Sequence, residues 1–295
     1  MRSAILPLLL LLFVPHAASG GESLPKAAAE GAFPGRLSTW QPIQGEPVVV
    51  EVSPLPRADD VVMVWKGQEI PMREEGPGRF LGLIGIDLQE PPGKAVLSVR
   101  ASRGGERVRF DVEITVREGT FPVQELTLPK AMTEFDGETL GRINREAKAL
   151  AERFSRVPSG PAWRFPFLPP VAEFRPRGFG VRRIINGEPR SPHAGADVDL
   201  PAGTPVVAIA DGTVAFAGEQ FFGGNSVVLD HGGGVFSIYY HLQEYAVSEG
   251  QKVARGERIG AVGSSGRATG PHLHFSVRAA GGRIDPALLY TLPLR

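Results

Sequence analysis

The chain contains no cysteine in its 295 residues. Disulfides, thiolate metal sites and lipid attachment at an N-terminal cysteine are thereby excluded. An oxidising compartment stays open, because a chain without thiols cannot form a wrong bridge there. Net charge is also lacking: 32 Lys and Arg balance 32 Asp and Glu. No global field therefore gathers nucleic acid or an anionic membrane, and no nucleic-acid partner is expected. Beyond the first residues no apolar run approaches the ~18–20 residues of a spanning helix. Internal repeats and low-complexity tracts are absent. What remains is an ordinary soluble composition and room for about two domains at roughly 100–200 residues each.

The N-terminus carries a targeting pattern. Arg2 supplies positive charge, Ile5 to Val14 form an apolar run broken by one proline, and Ala17-Ala18-Ser19-Gly20 offers small residues for cleavage. That order is a secretory signal over 1–20, too short for a comfortable membrane span; a retained anchor is the other reading. The mature chain is expected in the periplasm, cell envelope or extracellular space, without stable membrane insertion. His16 would leave with the signal.

Residues 21–35 read as a flexible leader, and short strands follow. Val48, Val50 and Val52 alternate with their neighbours, and Val62-Met63-Val64-Trp65 ends at a Lys66-Gly67 turn. Val108, Phe110, Val112, Ile114 and Val116 alternate with Arg107, Arg109, Asp111, Glu113 and Thr115, so period two puts one set on a core and the other in water. Short strands at this spacing predict an immunoglobulin-like β-sandwich over 36–120 as an accessory domain. Residues 121–177 read as a linker with one helix over about 137–154. Asp136 is its N-cap, with Leu140, Ile143, Ala147, Leu150, Ala151 and Phe154 at helical spacing. The proline-rich part of that linker is an extended connector that Trp163, Phe165 and Phe167 can pin to a surface. Residues 178–295 return to strands and glycine turns, predicting a mostly antiparallel β-domain. The fold class is mainly β.

Five histidines follow the signal, and all five fall in the C-terminal third: His193, His231, His241, His272 and His274. His193 and Asp197 lie four apart in a stretch that Pro192, Gly195 and Pro201 keep from being helical; on an extended chain even spacing holds both on one side. His272 and His274 lie two apart on a strand pattern, so both imidazoles enter one site while Leu273 turns into the core. His241 ends a strand, Ile238-Tyr239-Tyr240-His241-Leu242, and in isolation would be a core histidine. Three protein ligands and one open position define a catalytic zinc site. His193, Asp197 and one of the paired histidines supply that count, and spacing does not choose between the pair. One zinc ion there would acidify a bound water, leaving two imidazoles for proton transfer and oxyanion stabilisation.

Together these residues resemble the lysostaphin-like (LytM-type) zinc endopeptidases, from about Phe179 to Leu289. His193 and Asp197 match that family's H-x-x-x-D, Tyr239-Tyr240-His241-Leu242 its Y-x-H-L, and Thr269-Gly270-Pro271-His272-Leu273-His274 its approach to H-x-H. Gly203-Thr204-Pro205-Val206, Asp211-Gly212 and Asp285-Pro286 match intervening turns. The resemblance implies metal ligands His193, Asp197 and His274, and catalytic His241 and His272. It implies His231 as a structural turn histidine, a lysostaphin/LytM-type peptidase domain over 178–295, and peptide cross-links of peptidoglycan as substrate, cut by attack of a metal-bound hydroxide. Asp199 departs from the family, which usually has a small residue there; solvation is expected for it. The Leu126-Thr127-Leu128-Pro129 stretch and the helix after it look, more weakly, like the accessory region preceding some such peptidases.

Two other classes compete. A non-catalytic peptidoglycan-binding module would recruit or activate another wall hydrolase. An adhesin-like structural protein built on the sandwich would leave the histidine cluster unexplained.

Overall fold

The computed structural model describes residues 33–129, 133–156 and 159–292, so the expected signal and most of the expected leader lie outside it. The first eight strands are β1 (Gly35–Leu37), β2 (Pro47–Val52), β3 (Ala58–Trp65), β4 (Gln68–Pro71), β5 (Arg73–Gly76), β6 (Arg79–Gly85), β7 (Gly93–Arg103) and β8 (Glu106–Val116). They form two four-stranded antiparallel sheets, ordered β1-β2-β6-β5 and β4-β3-β7-β8. Gly104 and Gly105, both at positive φ, close the β7–β8 hairpin, a conformation that side chains with a Cβ resist. Val112, Ile114 and Val116 are buried while Asp111, Glu113 and Thr115 face water, as period two requires. Val48, Val50, Met63, Trp65, Leu97 and Val99 join them in one core. Each such side chain stabilises the fold by about 1.5–3 kcal/mol.

Alternation fails in β2 and β6 for a physical reason. Val49, Leu81 and Leu83 point away from that core and pack into a second one with Trp163, Phe167 and Ile284. These two strands are therefore covered on both faces. Arg283 fixes the junction: its Nε and backbone N–H donate to Asp87 Oδ2 at 2.8 and 2.9 Å, and Nη2 to Oδ1 at 2.5 Å. Burial alone would raise the Asp87 carboxyl, but the Arg283 guanidinium holds it below its ordinary range.

The stretch read as linker contains a strand that its composition does not announce. β9 (Val123–Leu126) pairs in parallel with β10 (Arg182–Ile185), which also pairs with β11 (Glu188–Pro189). Val123 is 58% exposed, so backbone pairing rather than apolar burial makes this strand, and no apolar periodicity marks it. The helix α1 spans Gly137–Phe154, and the Asp136 carboxylate accepts from Thr139 N–H at 2.7 Å. Leu150 and Phe154 pack on Val228, Phe236 and Ile238.

The remaining strands are β12 (Ala196–Asp199), β13 (Pro205–Val207), β14 (Gly212–Gln220), β15 (Gly224–Asp230), β16 (Val235–Tyr245), β17 (Lys252–Val253), β18 (Arg258–Val262), β19 (His272–Ala279) and β20 (Gly282–Ile284). They make one antiparallel sheet ordered β12-β19-β16-β15-β14-β17, with β18 bridging β13 and β16 and β20 on β19. One face packs Val198, Val227, Tyr239, Leu273, Phe275 and Val277 into the second core. His272, His274 and Ser276 point from the opposite face of β19. No helix among the described residues is long and apolar enough to cross a membrane.

Candidate metal centre

The site begins with strand pairing. In the β12–β19 ladder Asp197 lies opposite His274 and Asp199 opposite His272, so a carboxylate and an imidazole meet across one rung. Leu273 and Phe275, both fully buried, anchor β19 from behind. His193 sits in the loop before β12, tied by its N–H to Val181 O and by its carbonyl to Gly180 N, each at 2.9 Å. Gly195 allows this loop to close: a Cβ there would stand 2.7 Å from His274 Nε2 and collide with the Ser276 hydroxyl.

The donor atoms converge. His274 Nδ1 is 2.9 Å from Asp197 Oδ1, His193 Nε2 is 3.3 Å from the same oxygen, and the two nitrogens are 3.0 Å apart. Among the described residues, His193, Asp197 and His274 form a group able to hold a metal ion, their donor atoms all lying within 4.8 Å of one another. Their outer partners fix which nitrogen faces inward. His193 Nδ1 donates to Gly178 O at 2.7 Å, leaving Nε2 for a ligand, whereas His274 Nε2 meets the Ser276 hydroxyl at 2.9 Å, leaving Nδ1. Burial would raise the Asp197 carboxyl, but the two imidazoles hold it far below the usual carboxylate range; burial lowers His274. Two imidazole nitrogens and one carboxylate oxygen, oriented by second partners, are a donor set that zinc fits.

His241 lies beside this group, and its position differs from the expected strand end. It sits within β16, where Tyr240 and His241 lie between Tyr239 and Leu242 while only Ser226 lies between their partners Val227 and Asn225 on β15. That bulge puts His241 at φ +61°, a left-handed conformation costing about 1–2 kcal/mol for a residue with a Cβ. Two bonds hold it there: its N–H to Gly223 O at 2.7 Å, and its Nδ1–H to Ser265 O at 2.9 Å. His272 Nδ1–H likewise donates to Gly270 O at 2.9 Å. Each carbonyl can only accept, so each ring presents a bare Nε2. The two ring centroids are 4.7 Å apart, and His272 Nε2 is 3.9 Å from Asp197 Oδ1. Burial keeps the His241 imidazole neutral, pushing it down to about 4.

Reasoning from sequence missed Tyr240 and Ser276. Tyr240 stacks on His274 at 5.6 Å with an interplanar angle of 15°, and its hydroxyl is pushed up to about 12 by burial. Ser276 was legible by the same period of two that pairs the histidines; Tyr240 needed the β16–β19 register, which sets it opposite His274. Asp199 is exposed and pairs with Arg177 rather than facing the site.

His231 lies apart and is fully buried. Its Nδ1–H donates to Asp211 O at 2.8 Å, and the Ser237 hydroxyl stands 2.7 Å from Nε2. Burial pushes this imidazole from 6.5 to about 4. The unfolded chain thus binds a proton that the folded chain refuses. Stability is fully present above pH 6.5 and is lost as pH falls towards 4, by on the order of 3 kcal/mol. Urea unfolding at pH 7.5 and pH 5 should show part of this loss, and His231→Gln should reduce it, leaving the share of His241, which burial also pushes down to about 4. An unchanged slope in the variant would assign the loss to another group.

The chain was compared with known proteins. The family model Peptidase family M23 matches residues 191–286. The peptidoglycan DD-endopeptidase ShyA of Vibrio cholerae is 35% identical over 153 residues, which are 51% of this chain and 33% of that protein. The DD-carboxypeptidase/endopeptidase Mpg of Neisseria meningitidis is 47% identical over 94 residues, 32% of this chain and 22% of that protein. The chain thus spans a third or less of the length of these two relatives. A crystal structure from Pseudomonas aeruginosa assigned to peptidase M23 aligns with a TM-score of 0.62 at 31% identity, covering 85% of this chain and 95% of that one. The family match encloses the four histidines gathered at the site and Asp197, and the likeness to the solved structure covers 95% of that structure's length: the chain belongs to peptidase family M23.

Proposed function

We propose that the protein is an exported zinc metalloendopeptidase that hydrolyses peptide cross-links of peptidoglycan. The observation that carries this is the convergence of His193 Nε2, Asp197 Oδ1 and His274 Nδ1, with His241 and His272 each presenting a bare Nε2 beside them. The names of the two relatives, a peptidoglycan DD-endopeptidase and a DD-carboxypeptidase/endopeptidase, support the substrate class. They favour a D-alanyl cross-link over a glycine bridge.

In this reading His193, Asp197 and His274 hold the zinc. When bound, zinc supplies Lewis acidity towards a peptide carbonyl and lowers the pKa of a water from 15.7 towards about 7. The remaining chemistry belongs to the imidazoles. His241 Nε2, neutral at pH 7, accepts a proton and later delivers it to the departing amine. His272 Nε2 takes a proton from solvent, donates it in a hydrogen bond to the carbonyl oxygen as negative charge develops there, and returns it when the carbonyl re-forms. The carbonyls of Ser265 and Gly270 keep both rings from rotating, so neither must be reorganised during the reaction. No covalent enzyme intermediate is required.

The two four-stranded sheets sharing one core support reading residues 36–120 as an immunoglobulin-like accessory sandwich, with 121–177 as linker and 178–295 as the peptidase domain. Its grip on Arg283 suits a scaffold that steadies the β19–β20 end of the site.

The test uses one preparation of mature protein. About one zinc per chain is expected, with release of un-cross-linked peptides from muropeptide dimers that a chelator stops and added zinc restores. Zinc without cleavage would favour the wall-binding module; neither zinc nor cleavage would overturn the enzyme.

A further inference from the structure

We infer that Arg183 and Arg190, opposite each other on the β10–β11 hairpin, form a clamp for a free carboxylate of the peptide that enters the metal centre. This rests on the peptidase reading above.

Local chemistry builds the hairpin. Asn186 and Gly187, at φ +54° and +79°, make the two-residue turn that suits the twist of paired strands. Ile184 lies opposite Pro189 and Ile185 opposite Glu188, and the Arg190 N–H donates to Arg183 O at 2.8 Å. This register sets Arg183 and Arg190 side by side on one face, with Cβ atoms about 4.5–5.5 Å apart. Like charges placed so destabilise a ladder. Between residues 175 and 190 five arginines stand against one acid, Glu188, although the whole chain is balanced at 32 of each sign. Among the described residues Arg177 pairs with Asp199, but neither Arg183 nor Arg190 has a side-chain hydrogen bond or ion pair. Both are half-buried, and Arg183 Nε is shut off from water without an acceptor. Packing and solvation therefore leave this pair of cations unexplained: the fold holds them together at a cost and gives them no counter-charge.

The same hairpin carries the first metal ligand. Val181, two residues before Arg183, accepts the His193 N–H, and Gly180 N–H donates to His193 O, each at 2.9 Å. On the other strand Arg190 is three residues before His193. Two or three residues of chain span at most about 7–11 Å, so the arginine pair and the metal centre are neighbours along one backbone. Parallel pairing with β9 fixes the hairpin from its other edge. A carboxylate between the two guanidiniums offers acceptors to both and turns their repulsion into attraction. The planar fork of arginine matches a carboxylate through two parallel bonds, which a lysine in either place does not reproduce. Stem peptides of a wall cross-link carry free carboxylates close to the bond that joins them, and positive charge beside the site draws such a peptide in.

The experiment uses zinc-loaded mature protein and two probes: a muropeptide dimer with free carboxylates flanking the cross-link, and the same dimer amidated. Kd is measured in a His241→Ala background, KM and kcat in the active enzyme. Arg183→Gln and Arg190→Gln should each raise Kd and KM about ten-fold for the free-carboxylate dimer. The amidated dimer, kcat and zinc content should not change. Each variant removes a repulsion and should keep or raise the thermal midpoint; a fall would mark the arginines as parts of the fold and overturn the clamp. Glu188→Gln, which takes an exposed carboxylate from the same face, should tighten binding of the free-carboxylate dimer. Equal losses for both dimers, or arginine variants that bind and cleave like wild type, overturn the clamp and leave the enzyme standing. Binding without cleavage in the wild type overturns the enzyme, and the Kd comparison alone then decides the clamp. A wild type that binds neither dimer overturns clamp and substrate class together.

Discussion

Replacing His274 with alanine should leave a folded protein that holds no zinc and has lost peptidase activity by about a thousand-fold or more. The metal's contribution is worth several kcal/mol, and each 1.36 kcal/mol is a factor of ten in rate. The fold should survive because His274 points from the site face of β19, whereas Leu273 and Phe275, which anchor the strand in the core, are untouched. Asp197 would be left with His193 alone, and two donors do not retain zinc against a chelating buffer. Ser276→Ala provides the graded control: it removes the hydroxyl that orients His274 and should weaken zinc binding by about 10–100-fold. Zinc per chain by mass spectrometry, with circular dichroism beside it, decides the matter. A His274→Ala protein that keeps a full equivalent of zinc would exclude the proposed ligand set.

His241 and His272 should behave in the opposite way. Their alanine variants are expected to keep the metal and lose kcat by about 10²–10⁴-fold, the range for removing a positioned proton-transfer group. His241 needs a second substitution, because its backbone is held at φ +61°. Asparagine tolerates that conformation better than alanine, so His241→Asn isolates the chemistry from the cost of the bulge. Equal kcat losses in His241→Ala and His241→Asn, with zinc retained in both, would assign the loss to the missing imidazole. Zinc lost from His241→Ala but kept by His193→Ala would reverse the two roles.

Much of this arrangement was legible because strands obey a period of two. His272 and His274 share a face by spacing alone, and Leu273 enters the core between them. The helix start was equally local: Asp136 caps Thr139, a bond between residues three apart. Legibility ended where partners are distant in sequence. His241 reads as a strand-end histidine, and only its pairing with β15 shows the bulge. β9 has no apolar pattern of its own and exists through a parallel partner some 60 residues away. Val49, Leu81 and Leu83 break the alternation because a second core covers them.

The sequence by itself determined residue chemistry and local periodicity: which imidazoles and carboxylates are available, which of them share a strand face, and where turns must fall. It determined that thiolates take no part. Tertiary structure alone decided which nitrogen of His193 and of His241 faces the site, since their orienting groups, the carbonyls of Gly178 and Ser265, are brought to them by folding. It also decided that Asp197 and His274, 77 positions apart, meet across one rung of the β12–β19 ladder. The physical reason is range. Steric and hydrogen-bonding preferences within a few residues are written in the local chain, whereas register and burial are fixed only when separate segments close on a common core.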